Sequence, residues 1–140
     1  MIDYSDRYPM ARIYDIFGQE LGRSIERLTN HVNGVQKDDS TYYEAMSDDI
    51  RASVGKGVDN IHNLASMPLV YSAEKILGKV EKARKYCLPM LKKARKNFPQ
   101  QDDLFQNLKT IIQIECDTMD ALITRFAIRE HQGWDDPSFP

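Results

Sequence analysis

A chain of 140 residues, 41% hydrophobic and 29% charged, fits one ordinary domain and carries enough apolar material for a core, which excludes a disordered polymer. Two cysteines are too few for a disulfide framework and lack the paired spacing of a zinc site. The net charge of −2 conceals a segregation: residues 75–96 hold nine of the 19 Lys and Arg but one of the 21 acids, so this segment is about +8 and the remainder about −10.

Met10, Ile13, Phe17, Leu21, Ile25, Leu28 and Val32 recur at three- and four-residue steps. Pro9 suits a first helical turn and Asn33-Gly34 a C-terminal cap, so the pattern predicts helix one over about 9–33. Gly18 and Gly22 form a small-xxx-small step that permits close internal packing. Thr41 and Glu44 have capping-box spacing, and Tyr43, Met46, Ile50, Val54, Ile61 and Leu64 continue the helical period to Met67-Pro68, giving helix two over about 41–66. Gly55 and Gly57 each cost such a helix about 1 kcal/mol relative to Ala. Either they leave it weak and irregular, or close approach of another helix or a ligand compensates.

Helix three is expected over about 69–97, with a seam of Ala73, Ile76, Val80, Ala83, Cys87, Met90 and Ala94. Pro89 removes one ladder hydrogen bond and crowds the carbonyl of Lys85, so this helix should bend or break there. Helix four is expected over about 101–132, opened by Asp102 and Asp103 and lined by Phe105, Leu108, Ile112, Cys116, Met119, Ile123 and Phe126 up to Gly133. No segment has the two-residue alternation of a half-buried strand. Short connections make neighbours antiparallel, so the expected fold is an all-α, up-down-up-down four-helix bundle over residues 1–133, with a short extended tail over 134–140. The first residues show no basic region followed by an apolar one, and no apolar run reaches the roughly 20 residues that span a bilayer. A cytoplasmic protein without a membrane partner is expected.

On a helix turning 100° per residue, Lys75, Lys79, Lys82, Lys85, Lys92, Lys93 and Lys96 fall within about 140°, opposite the seam. Such a row suits a nucleic-acid backbone, RNA in particular, or an acidic protein surface; it equally suits a merely solvated face. Arg84 and Arg95 flank the seam, where their forked donors suit carboxylate or phosphate at an interface. Helix four carries a second apolar row, Leu104, Ile111, Ile114, Leu122 and Ile128, which predicts contact with another subunit. The tail adds Trp134 and Phe139 around Asp135 and Asp136, an extended peptide suited to docking on a neighbouring copy or partner. Cys87 and Cys116 fall at seam positions of consecutive helices and are expected as buried free thiols. His31, His62 and His131 lie at helix ends too scattered for one metal site, so no metal or cofactor is expected. Arg125 and His131 have the loose Arg-x5-His form of HEPN-type ribonucleases, although Phe126 replaces the polar residue usual there. A non-enzymatic binding protein is the first expectation, with a dimeric ribonuclease or a virion or inhibitor protein as alternatives.

Ile50-Arg51, followed by Asn60-Ile61, and Met119-x-Ala121-Leu122-Ile123 resemble motifs of the four-helix-bundle family encoded in intervening sequences of 23S ribosomal RNA, together with Avd, the accessory protein of diversity-generating retroelements. Asn63-Leu64 stand where that family commonly has Glu-Gly, and this chain is mildly acidic where Avd is strongly basic. The resemblance implies a non-enzymatic homo-oligomer, typically a cyclic pentamer, which in the Avd case binds a reverse transcriptase and its RNA.

Overall fold

The computed structural model describes residues 9–32 and 34–131, with side chains up to residue 125, residue 69 excepted. Helix dominates: α1 (Met10–Leu28), α2 (Asp39–Ser47), α3 (Ile50–Ser66), α4 (Ala73–Lys82), α5 (Leu88–Asn97) and α6 (Asp102–His131). The all-α class is observed, with one addition. His31–Val32 (β1) and Val35–Gln36 (β2) pair as a minimal antiparallel ladder in which Val32 faces Val35. Gly34, with φ 76°, occupies the left-handed region in the turn between them. Helix one therefore stops at Leu28, short of its expected end.

Its interior differs as well. Gly18 has φ 78° and ψ 173°, a conformation essentially reserved for glycine, and it interrupts α1. In a straight helix residues eight apart are separated by about 12 Å along the axis. Here the Tyr14 ring lies against Gly22, where a Cβ would fall 2.5 Å from Tyr14 Cδ1, and the Tyr14 hydroxyl donates to Glu26. The first half of α1 thus folds onto the second, leaving Ile16 and Phe17 about half exposed, at 56% and 49%.

The segment expected as helix two is two helices. Asp38 caps α2 by accepting the Thr41 N–H at 3.2 Å, a role the sequence pattern gave to Thr41 itself. Asp49 caps α3 by accepting the Ala52 N–H at 3.0 Å. Adjacent aspartates favour such caps over helix interior, and the chain reverses at Asp48-Asp49. The reversal returns the Lys56 ammonium over the rings of Tyr42 and Tyr43, at 5.7 and 5.9 Å.

Between α4 and α5 lies a π turn, Ala83–Cys87, closed by the Leu88 N–H bonding to the carbonyl of Ala83. Pro89 follows directly. The helical path continues through this wider turn into α5, so the irregularity expected at Pro89 takes the form of a π turn and not a break.

The core is built from the expected seams. Ile76, Val80, Ala83, Cys87, Met90 and Ala94 are buried, as are Phe105, Leu108, Ile112, Cys116 and Met119. Ala73 is exposed instead, at the first position of α4. Arg84 bonds Asp117 while Arg95 bonds Asp102, so α6 runs antiparallel to α4–α5. Lys82 meets Asp39 and Asn97 meets Asp48, so α2 runs parallel to that segment, on its other side. A Cβ on Gly57 would lie 3.1 Å from Leu108 Cδ1 and 3.4 Å from Leu91 Cδ2, so close approach of α5 and α6 is the use α3 makes of this glycine.

Candidate nucleic-acid interface

The basic segment presents its charges outward because its apolar residues occupy every third or fourth position against α3 and α6. Lys75, Lys79, Lys85, Lys92, Lys93 and Lys96 are exposed and Lys82 is half-buried. The π turn alters their alignment, since each residue of a wider turn advances by less than the 100° of an α-helix. Lys92, Lys93 and Lys96 are thus rotated relative to Lys75, Lys79 and Lys82, and one straight stripe becomes two offset groups.

Much of the segregated charge is neutralised across helix boundaries. Lys82 pairs with Asp39 at 3.0 Å and Lys93 with Glu44 at 3.0 Å, both acids on α2. Arg84 reaches Asp117 at 2.8 Å and Asp120 at 2.6 Å, and Arg95 holds Asp102 and, at 2.8 Å, Gln106. The hydrogen bond from Arg95 holds the Asp102 carboxyl below its ordinary range. The two arginines therefore make the carboxylate contacts their position suggested, but within their own chain. Lys75 lies 3.9 Å over the Tyr71 ring and Lys85 5.2 Å from the centre of Tyr86. Among the described residues, Lys79, Lys92 and Lys96 have no carboxylate within ion-pair distance.

On α6, Ile111 and Ile114 are exposed, with Ile114 at 58%, and Leu122 is half-buried. The side chain of Ile128 lies outside the described residues, as do Trp134 and Phe139. Arg125 is exposed on α6, while the His131 side chain also lies outside what is described. Cys87 and Cys116 are buried and unbridged, and burial pushes the Cys87 thiol up to about 12. No cluster of three or more His, Cys, Asp or Glu able to hold a metal occurs among the described residues, and no described helix is long and apolar enough to cross a membrane.

A second basic site was not read from the sequence. Lys56, alone between Gly55 and Gly57, comes together with Lys79 and Lys82 beside Tyr42, Tyr43 and three asparagines. Its only signal in the sequence is a lysine flanked by two glycines, well off the apolar seam of the expected helix. Comparison with protein-family models, with curated proteins and with solved structures yields no match to this chain.

Proposed function

We propose that this protein is a non-enzymatic, self-associating scaffold that binds RNA through the outer face of α4–α5. In this reading α2, α3, α4–α5 and α6 are the four walls of a helical bundle, with α1 laid outside on α2 and α3. The observation that carries it is the trio Lys79, Lys92 and Lys96: exposed ammonium groups on one helical segment that no acid among the described residues neutralises. Ammonium groups so placed release counterions when phosphates replace solvent, which drives sequence-independent binding. Lys75 and Lys85, held by aromatic rings, keep their charge and add to the same field. An acidic protein surface would be met by the same groups, and a reverse transcriptase with its RNA is the partner the family resemblance implies.

The test is a charge reversal confined to lysines that no carboxylate among the described residues pairs. Lys79→Glu, Lys92→Glu and Lys96→Glu together should leave helicity intact, weaken binding to single-stranded RNA, and reduce the slope of log affinity against log salt by about 2 to 3 units. Fluorescence anisotropy across a salt series reads this directly. Unchanged affinity and slope return these lysines to a solvated face.

Self-association rests on Ile111 and Ile114, two branched apolar side chains that α6 leaves in water one turn apart. Replacing both with Glu should convert the assembled particle to a monomer by light scattering. A particle of the same mass in wild type and variant would remove α6 from the interface.

A further inference from the structure

Where α2, α3, α4 and the end of α1 meet, the protein forms a cavity of about 170 Å³ that is partly open to solvent. Lys56 reaches it from α3, Lys79 and Lys82 from α4, and Asn30 from the segment after α1; Tyr42 and Tyr43 complete the wall. Two carboxylates answer two of the three ammonium groups, Asp59 on Lys56 at 3.0 Å and Asp39 on Lys82 at 3.0 Å. Among the described residues Lys79 has no such partner, and these three lysines and two carboxylates leave a positive excess. The Lys56 side chain is only 18% exposed. Burial alone would favour its neutral form, but the two tyrosines and Asp59 outweigh burial and raise it above the usual lysine value, so it remains a cation at neutral pH.

One residue that lines the recess, Asn30, and one paired with its Lys82, Asp39, carry acceptors without donors. Asn30 Oδ1 is buried and meets no hydrogen-bond donor. Asp39 Oδ1 is near Lys82 Nζ, yet it too receives no well-directed hydrogen bond. Buried polar atoms left in this state forfeit the hydrogen bonds they make in water, which an occupant with its own N–H or O–H would restore. The recess has room for a phosphate with an adjoining hydroxyl-bearing fragment. Lys79 and Lys82 also line the open hollow beside it, together with Lys75 and Gly78, so the rest of a larger ligand would pass onto the basic face.

We propose that this cavity binds a phosphomonoester, its oxygens held by Lys56, Lys79 and Lys82 and a neighbouring hydroxyl or amine donating to Asn30. The group can come from the 5′-phosphate of an RNA or from a free phosphorylated small molecule; only the first source rests on the RNA-binding reading above. Three probes separate the cases: inorganic phosphate, adenosine monophosphate, and one 10-nucleotide RNA carrying either a 5′-phosphate or a 5′-hydroxyl. An RNA-end site makes the 5′-phosphorylated RNA bind about tenfold more tightly than its 5′-hydroxyl twin. A small-molecule site leaves the two RNAs equal, while adenosine monophosphate or inorganic phosphate raises the melting temperature saturably. In either case Lys56→Met should abolish the preference or the stabilisation, and the milder Asn30→Ala, checked for native helicity, should reduce it. No 5′-phosphate preference together with no saturable stabilisation overturns the inference even if RNA binds well, whereas loss of binding of the 5′-hydroxyl RNA in a Lys92→Glu, Lys96→Glu variant, which leaves Lys79 in place, bears on the outer face alone.

Discussion

α1 and α6 are both written with apolar residues at three- and four-residue steps, yet they are used differently. On α6, Phe105, Leu108, Ile112, Cys116 and Met119 are all buried, one for each turn. On α1, Met10 and Ile13 are partly covered, Phe17 and Leu21 are exposed, and Leu28 alone of this row packs against the main core. Periodicity therefore dictates which side of a helix is apolar, while burial also requires an uninterrupted backbone and a partner along its whole length. Gly18 removes the first condition. Once the chain takes φ 78° there, the first half of α1 packs on the second through Tyr14 rather than on α3.

This contrast can be broken by truncating one phenylalanine from each helix. Phe105 is fully buried and stacks near Phe98, so Phe105→Ala should cost about 3–5 kcal/mol in urea denaturation. Phe17→Ala should change stability by no more than about 0.5 kcal/mol, since it uncovers little that water does not already reach. Equal losses would mean that the exposed row of α1 is covered in the assembled protein, and the Phe17 loss would then grow with protein concentration.

The seams of α4, α5 and α6 were legible because each is long and flanked by elements that cover one face, so the 3.6-residue period maps directly onto burial. Buried Cys87 and Cys116 followed from the same rows. The places where the reading failed are those where short-range polar chemistry competes with that period. Asp48-Asp49 inside an apolar pattern marked a cap and a reversal, not a weak helical turn. Asn-Gly is a strong hairpin signal, but strands of only two residues show no alternation, so from the sequence the pair suggests a helix stop instead of the turn in which Gly34 lies. The basic segment was legible as a charge pattern, but its pairing was not. Asp39, Glu44, Asp102, Asp117 and Asp120 lie far from their partners in sequence or across a turn, and only the fold places them beside the lysines and arginines. Lys56 was missed for a related reason, since its neighbours Tyr42 and Tyr43 arrive through the unanticipated reversal.

That reversal offers the last and smaller test of the contrast, because it ties the packed half of α1 to the body of the protein. Asp49 Oδ2 accepts from Ser24 Oγ at 2.8 Å and from Arg27 NH1 at 2.8 Å, while Oδ1 caps α3. Burial would raise its carboxyl, but the Ala52 N–H, Ser24 and Arg27 together outweigh burial and hold it below the ordinary range. A carboxylate with a depressed folded-state pKa stabilises fully above its unfolded value, about 3.9, and that contribution is lost as pH falls through the folded value. Asp49→Asn keeps the shape and one cap acceptor but removes the charge, so it should cost about 1–2 kcal/mol between pH 5 and 8. The gap to wild type should narrow progressively below about pH 4, as protonation makes the native aspartate resemble the variant. Paired urea melts across that range measure it. A gap independent of pH down to the acid transition would show that Asp49 acts by shape and capping alone, and that Arg27 contributes nothing through charge.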